Sequence, residues 1–315
     1  MRHIKMHAPP SAILLLATAS LALGLTPGFG QVPKPSTTRA RLVLLGTGTP
    51  NADPERWGPA AAIVVNDESY LVDAGVGIVR RAAAVAAKGV TGLQASELRR
   101  VFITHLHSDH TLGLPDLMLS PWVLERTTPL IVYGPPGIAA MTQHIEEAWR
   151  EDIAMRLYGL EPQSTRNYKA VTHEIKAGRI FEDGNVRVDA IAVPHGSWPD
   201  AFGFRFQAAD RVFVISGDTR PSDAIADACQ GCDVLMHEVY SAVKLSSRPQ
   251  EWQAYHRAVH TSTVELAKLA IKARPKLVVL YHQLYWGATD ADLLREIREA
   301  GYAGMVVSGR DLEIY

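Results

Sequence analysis

The chain has 315 residues, 47% hydrophobic and 21% charged, enough to bury a sizeable core in one or two domains. Fractions this ordinary exclude disordered and fibrous classes. With 32 Lys+Arg against 33 Asp+Glu the net charge is −1, and no basic stripe of the kind that tracks a nucleic-acid backbone stands out, which weighs against a large polyanionic substrate.

Residues 1–30 read as an export signal, with Arg2 and Lys5 as a short basic region, an apolar run over 13–25 and small residues at Gly28 and Gly30. The run is shorter than the roughly 20 apolar residues a membrane span wants, so cleavage near Gln31 is expected, with a retained anchor as the alternative. A periplasmic or secreted protein without a membrane anchor follows. Residues 31–40, with Pro33 and Pro35, read as a linker, and residues 41–315 as the working domain.

Short, partly β-branched runs bounded by Gly or Pro predict strands at 41–45, 61–65, 70–72, 101–103 and 130–132, and again at 186–193, 202–206, 212–215, 234–236 and 277–281. Amphipathic spacing predicts helices at 76–87, 138–150, 222–228, 263–273 and 291–300, the fourth capped by Ser262 or Thr261 with Glu265 in its first turn. Residues 151–178 are polar and weakly periodic and read as a surface excursion. The class is α/β. Cys229 and Cys232 could oxidise in an exported protein; the preferred reading is two small side chains at a helix end before a buried strand.

The informative segment is Thr104-His105-Leu106-His107-Ser108-Asp109-His110, directly after the strand at 101–103 and before a helical stretch expected from Thr111. Three imidazoles and a carboxylate in one turn can converge on cations, and zinc suits nitrogen and oxygen donors without redox chemistry. His195, Asp218 and His282 each stand just past another predicted strand, which would gather them at one sheet edge.

This H-x-H-x-D-H pattern resembles the signature of the metallo-β-lactamase superfamily, and Asp73, His195, Asp218 and His282 resemble its remaining motifs in order. The resemblance implies an αββα sandwich with two zinc ions per chain, one held by His105, His107 and His195, the other by Asp109, His110 and His282, with Asp218 bridging. Asp73 would orient a ligand from behind. Aspartate rather than cysteine at position 218, together with His237-Glu238, His260-Thr261 and the turn Tyr133-Gly134-Pro135-Pro136-Gly137, resembles the branch of ribonuclease Z, arylsulfatases and phosphodiesterases. Asp109, Glu238 and His260 then form the catalytic set, with His260 as proton donor.

The expected activity is cleavage of a phosphodiester or aryl sulfate in a small ester by a metal-bound hydroxide. The alternatives are a β-lactamase or lactonase, a ribonuclease Z-like tRNA-processing enzyme, and a metal-binding protein without activity. The basic, Gly/Pro-rich arm with which ribonuclease Z grips tRNA has no counterpart in residues 141–190, and a homodimer is implied by analogy alone. His260 could instead cap the helix at 263–273, Glu238 could pair with a cation, and His237 reads as structural. His144, His173 and His256 read as surface residues. Trp198, Tyr285 and Trp286 would line a pocket or pack in the interior.

Overall fold

Residues 40–161 and 166–315 are described by the structure, a computed structural model. The export signal and all but the last residue of the linker lie outside the described residues.

The first half of the chain runs β1 (Arg41–Gly46), β2 (Ala60–Val65), β3 (Glu68–Val72), α1 (Ile78–Ala86), β4 (Arg100–Phe102), α2 (Ser108–Thr111), α3 (Leu114–Val123), β5 (Leu130–Gly134), α4 (Ile138–Ala148), α5 (Arg150–Tyr158) and β6 (Ala170–Glu174). Its strands form one sheet in sequence order, antiparallel from β1 to β3 and parallel from β3 to β6. The second half runs β7 (Gly178–Glu182), β8 (Val186–Ala192), β9 (Phe202–Ala208), β10 (Val212–Ile215), α6 (Asp223–Cys229), β11 (Val234–Tyr240), α7 (Ala242–Leu245), α8 (Gln250–Val259), α9 (Thr263–Ala273), β12 (Leu277–Leu284), α10 (Asp290–Glu299) and β13 (Val306–Ser308). These strands form a second sheet in reverse order, parallel from β10 to β13.

Near-continuous apolar strands such as Ala60–Val65 are explained by burial on both faces. Leu42, Leu44, Ile63 and Phe102 turn inward to meet Phe204, Phe206, Phe213 and Tyr281 between the sheets. Their neighbours Val43, Leu45, Ala62 and Val64 turn outward against Ile78, Val79, Leu114 and Leu117 of α1 and α3. On the far side Val214, Leu235, Val278 and Leu280 pack on α6, α9 and α10 through Ile225, Leu266, Leu269, Leu293 and Ile297. The result is the expected αββα sandwich.

All ten predicted strands are present. Residues 151–178, read as an excursion, hold most of α5, then β6 and the start of β7. β6 is an edge strand with little burial, so no alternation marks it. The predicted helix at 138–150 is two helices, interrupted at Trp149. The helical stretch expected from Thr111 is helix α3, which carries Pro115 near its start and Pro121 inside it; helices α7 and α8 were not anticipated. Ser262 caps α9 through a capping box with Glu265, and Thr261 does not. Cys229 and Cys232 form a disulfide, contrary to the preferred reading: left-handed Gln230 and Gly231 fold the chain back and bring their Cα atoms to 4.7 Å. Among the described residues no helix is long and apolar enough to cross a membrane.

Candidate metal centre

The C-terminal ends of β3, β4, β8 and β10 deliver Asp73, His105–His110, His195 and Asp218 to one edge of the sandwich. The sequence placed His282 beyond a strand; it lies inside β12 instead. Glu238 of β11 pairs with Tyr281 and Val239 with Gln283, so His282 is skipped by the ladder. A bulge with φ 47° aims its ring off the sheet. Asp218 follows Gly217, whose left-handed turn (φ 62°) runs so close to Phe202 that a Cβ would sit 2.5 Å from its carbonyl oxygen.

All seven residues expected to hold metal are brought together. His105, His107, His195 and Asp218 form one group whose ligand atoms lie within 4.8 Å of one another, and Asp109, His110 and His282 form a second. In the first, His105 Nε2 and His195 Nε2 lie 2.9 and 3.2 Å from His107 Nδ1. In the second, His282 Nε2 is 3.2 Å from Asp109 Oδ2 and His110 Nε2 is 3.5 Å from the same oxygen. Asp218 ties the groups, with Oδ1 3.5 Å from His110 Nε2 and Oδ2 3.4 Å from His282 Nε2.

Two of the imidazoles are oriented from behind by strong acceptors. His110 Nδ1 donates to Asp73 Oδ2 at 2.8 Å, and His195 Nδ1 donates to the Val259 carbonyl at 2.9 Å, which leaves both Nε2 lone pairs facing inward. Asp73 Oδ1 also accepts from the amide and hydroxyl of Thr104, at 2.8 and 2.9 Å, while the Thr104 oxygen faces His105 Nδ1 at 2.9 Å. Asp73 itself is left-handed at φ 60°. Trp198 donates its indole N–H to His107 Nε2 at 2.7 Å, which fixes that ring from its far side. The donor set fits metal: His110 Nε2 and Asp218 Oδ1 are buried without any hydrogen-bond partner, an arrangement costly to leave uncompensated.

Electrostatics separate the groups. Burial holds His105 well below its usual value and pushes His107 down to about 4; His195 is lowered for the same reason. Burial would lower His110 as well, but the carboxylates of Asp218, Asp73 and Asp109 outweigh it and hold the ring well above its usual value. Asp218 lies well below the carboxylate range, because His282 and His110 overcome its burial.

Glu238 and His260, named with Asp109 as the catalytic set, lie beside the metal residues. Glu238 is fully buried; its Oε1 accepts from the amides of Thr219 (3.2 Å) and Thr261 (3.0 Å) and stands 3.3 Å from His260 Nδ1. That nitrogen is 3.9 Å from Asp218 Oδ2. Burial, and then the Asp218 charge, hold Glu238 well above the carboxylate range, and burial pushes His260 down to about 4. His260, with Asp218 and His282, also satisfies a ligand grouping that the sequence did not suggest.

The beta-lactamase superfamily domain matches residues 68–283. The chain belongs to the metallo-β-lactamase superfamily. This superfamily member is similar to ribonuclease Z of Mycobacterium bovis, 30% identical over 275 residues that cover 86% of the chain and 96% of that protein. In structure it is similar to human short-form tRNase Z (22% identical, TM-score 0.64, covering 87% of this chain and 98% of that one). It is also similar to YhfI of Bacillus subtilis, a metallo-β-lactamase fold protein (15% identical, TM-score 0.67, covering 88% and 98%). It is a ribonuclease Z-like, metal-dependent hydrolase of that fold.

Sequence reasoning missed two supports of this superfamily site. His256, read as a surface residue, is only 8% exposed and stacks on His260 with ring centroids 5.7 Å apart. It sits on α8, whose Val259 carbonyl orients His195. Apolar Val259 three places after His256 was the available signal, too weak alone. His144 and His173 are exposed as expected, and Tyr285 donates its hydroxyl to Asp290. Asp73→Asn, which tolerates the left-handed backbone, is expected to lower metal affinity or activity by about 10–100-fold, because the charge behind His110 is lost. Competition with a chelator measures it.

Proposed function

We propose that the chain is a di-zinc hydrolase that cleaves a phosphodiester or an aryl sulfate in a small ester. The observation that carries this reading is the pair of ligand groups meeting at Asp218, with the Glu238–His260 pair 3.9 Å from the shared carboxylate. Zinc ions held there would make a bound water acidic and offset charge growing at the phosphorus or sulfur centre. Asp73, Thr104 and the Val259 carbonyl keep the imidazoles from turning. His260, held 3.3 Å from Glu238 and 3.9 Å from Asp218, is positioned to pass a proton to the departing oxygen.

A ribonuclease reading is favoured by the name of the Mycobacterium bovis relative and its nearly full-length match. What supports a smaller substrate is the region where an RNA-gripping arm would be sought. Its described residues include α4 and α5, and the arginines of α5 are neutralised: Arg150 by Glu147 and Glu151, Arg156 by Asp152 and Glu161. The test is a substrate panel of bis(p-nitrophenyl) phosphate, p-nitrophenyl sulfate, a chromogenic lactam, a lactone and a precursor tRNA. Turnover of the diester or the sulfate, far above the others, is expected. Turnover confined to the tRNA, the lactam or the lactone would overturn the proposal.

Export belongs to the same proposal. It is supported by the basic and apolar succession in residues 1–30 and by the Cys229–Cys232 disulfide, since such bonds persist in oxidising compartments. Mass spectrometry of the protein from its native host should find an N-terminus near Gln31; Met1 on the mature protein would refute export.

A further inference from the structure

Tryptophan is concentrated around the metal centre. Of the six in the chain, Trp198 bonds His107, Trp57 borders the cleft beside Asp109, and Trp252 and Trp286 pack on His256 behind His260. Along α8, Trp252, Tyr255, His256 and Val259 fall at i, i+3, i+4 and i+7 and share one face. The stripe begins buried, at Val259 and His256, and then leaves the interior: Trp252 is 45% exposed and Tyr255 43%. The two rings meet edge to face at 5.5 Å, and Trp252 lies nearly parallel to His256 at 5.9 Å.

This face cannot drift from the reacting edge. The last turn of α8 orients His195, and the Val259 side chain fills the space beside left-handed Gly196, where a Cβ would meet it at 2.5 Å. The His256 ring that Trp252 and Tyr255 both contact lies 5.7 Å from the His260 ring, so the exposed face continues directly from the reacting edge. Arg56, which lines two adjoining cavities of about 400 and 250 Å³, spends its donors on Thr47, Gln283, Gly309 and Asp290.

We propose that the Trp252–Tyr255 face of α8 is a stacking subsite for a planar aromatic group, an aryl ring or a nucleobase, carried by the ester that the metal centre cleaves. It rests on the hydrolytic reading above and narrows it to esters with an aromatic substituent. Base-on-aromatic stacking is sequence-tolerant and strong enough to set a preference.

The test uses three diesters that share the p-nitrophenolate leaving group and differ in the other substituent: methyl, phenyl and thymidine 5′-yl. The metal-loaded wild type is expected to favour phenyl and thymidine over methyl by about ten-fold or more in kcat/KM. Trp252→Ala and Tyr255→Ala should each reduce that ratio about ten-fold, chiefly through KM, and Trp252→Phe should restore most of it. Both side chains are half exposed, so thermal unfolding should stay near wild type. A preference for phenyl alone identifies an aryl substrate, and one for thymidine alone a nucleotide. A ratio that survives both alanine variants overturns the subsite. Calorimetric binding of phenyl phosphate and thymidine monophosphate separates this from failure of the hydrolytic reading. No turnover of any diester with Trp252-dependent binding refutes the reaction but upholds the subsite; binding indifferent to Trp252→Ala refutes the subsite.

Discussion

Asp218→Ala is expected to lower kcat/KM by more than about 10³-fold while leaving the sandwich folded. The carboxylate is 3% exposed and lies 3.5 and 3.4 Å from the Nε2 atoms of His110 and His282. It is also the member common to the His105–His107–His195 group and the Asp218–His260–His282 group. None of the three main apolar clusters includes it, so thermal unfolding should change far less than turnover. Elemental analysis should show metal falling along with activity. Turnover within ten-fold of wild type, with metal content unchanged, would remove Asp218 from the centre.

His260→Ala should behave differently: metal retained, chemistry slowed by about 10²–10⁴-fold for a poor leaving group. The ring stands 3.3 Å from Glu238 and beside Asp218 at the reacting edge, placed to deliver a proton. A departing alkoxide or weakly acidic phenolate needs that proton, whereas an acidic phenolate leaves without it. The loss should therefore shrink as the phenol becomes more acidic. Glu238→Gln should follow the same trend, and the double variant should lose little more than the worse single one, because the two act as a unit. Equal losses for every phenol, or loss of metal in the single variant, would make His260 a structural residue or a ligand instead.

Much of the centre was legible because its residues obey local rules. His105 to His110 occupy a single turn after β4, and His195 and Asp218 each follow an apolar run, so chain order alone put them at strand ends. Ser262 with Glu265 announced the start of α9 by a capping pattern three residues long. What escaped was set by distant partners. The placement of His282 depends on a bulge created where β12 pairs with β11, and nothing in Leu277–Leu284 records that register. β6 and β13 sit at sheet edges, where half-exposure erases the alternation that marks an inner strand. α8 was hidden by the polar stretch leading into it, and with it the burial of His256 and the bond that holds His195. The disulfide required knowing that Gln230 and Gly231 both turn left-handed.

The central claim is that the two ligand groups hold metal and that hydrolysis depends on it. The most direct test is elemental analysis of the purified protein, before and after chelation and reconstitution, alongside its rate on a p-nitrophenyl diester. The expected result is about two zinc ions per chain, activity lost on their removal and regained on their return, with His107→Ala taking up less metal and showing no turnover. A protein that binds no metal even on reconstitution, or that hydrolyses the ester at an undiminished rate after complete chelation, would contradict the account.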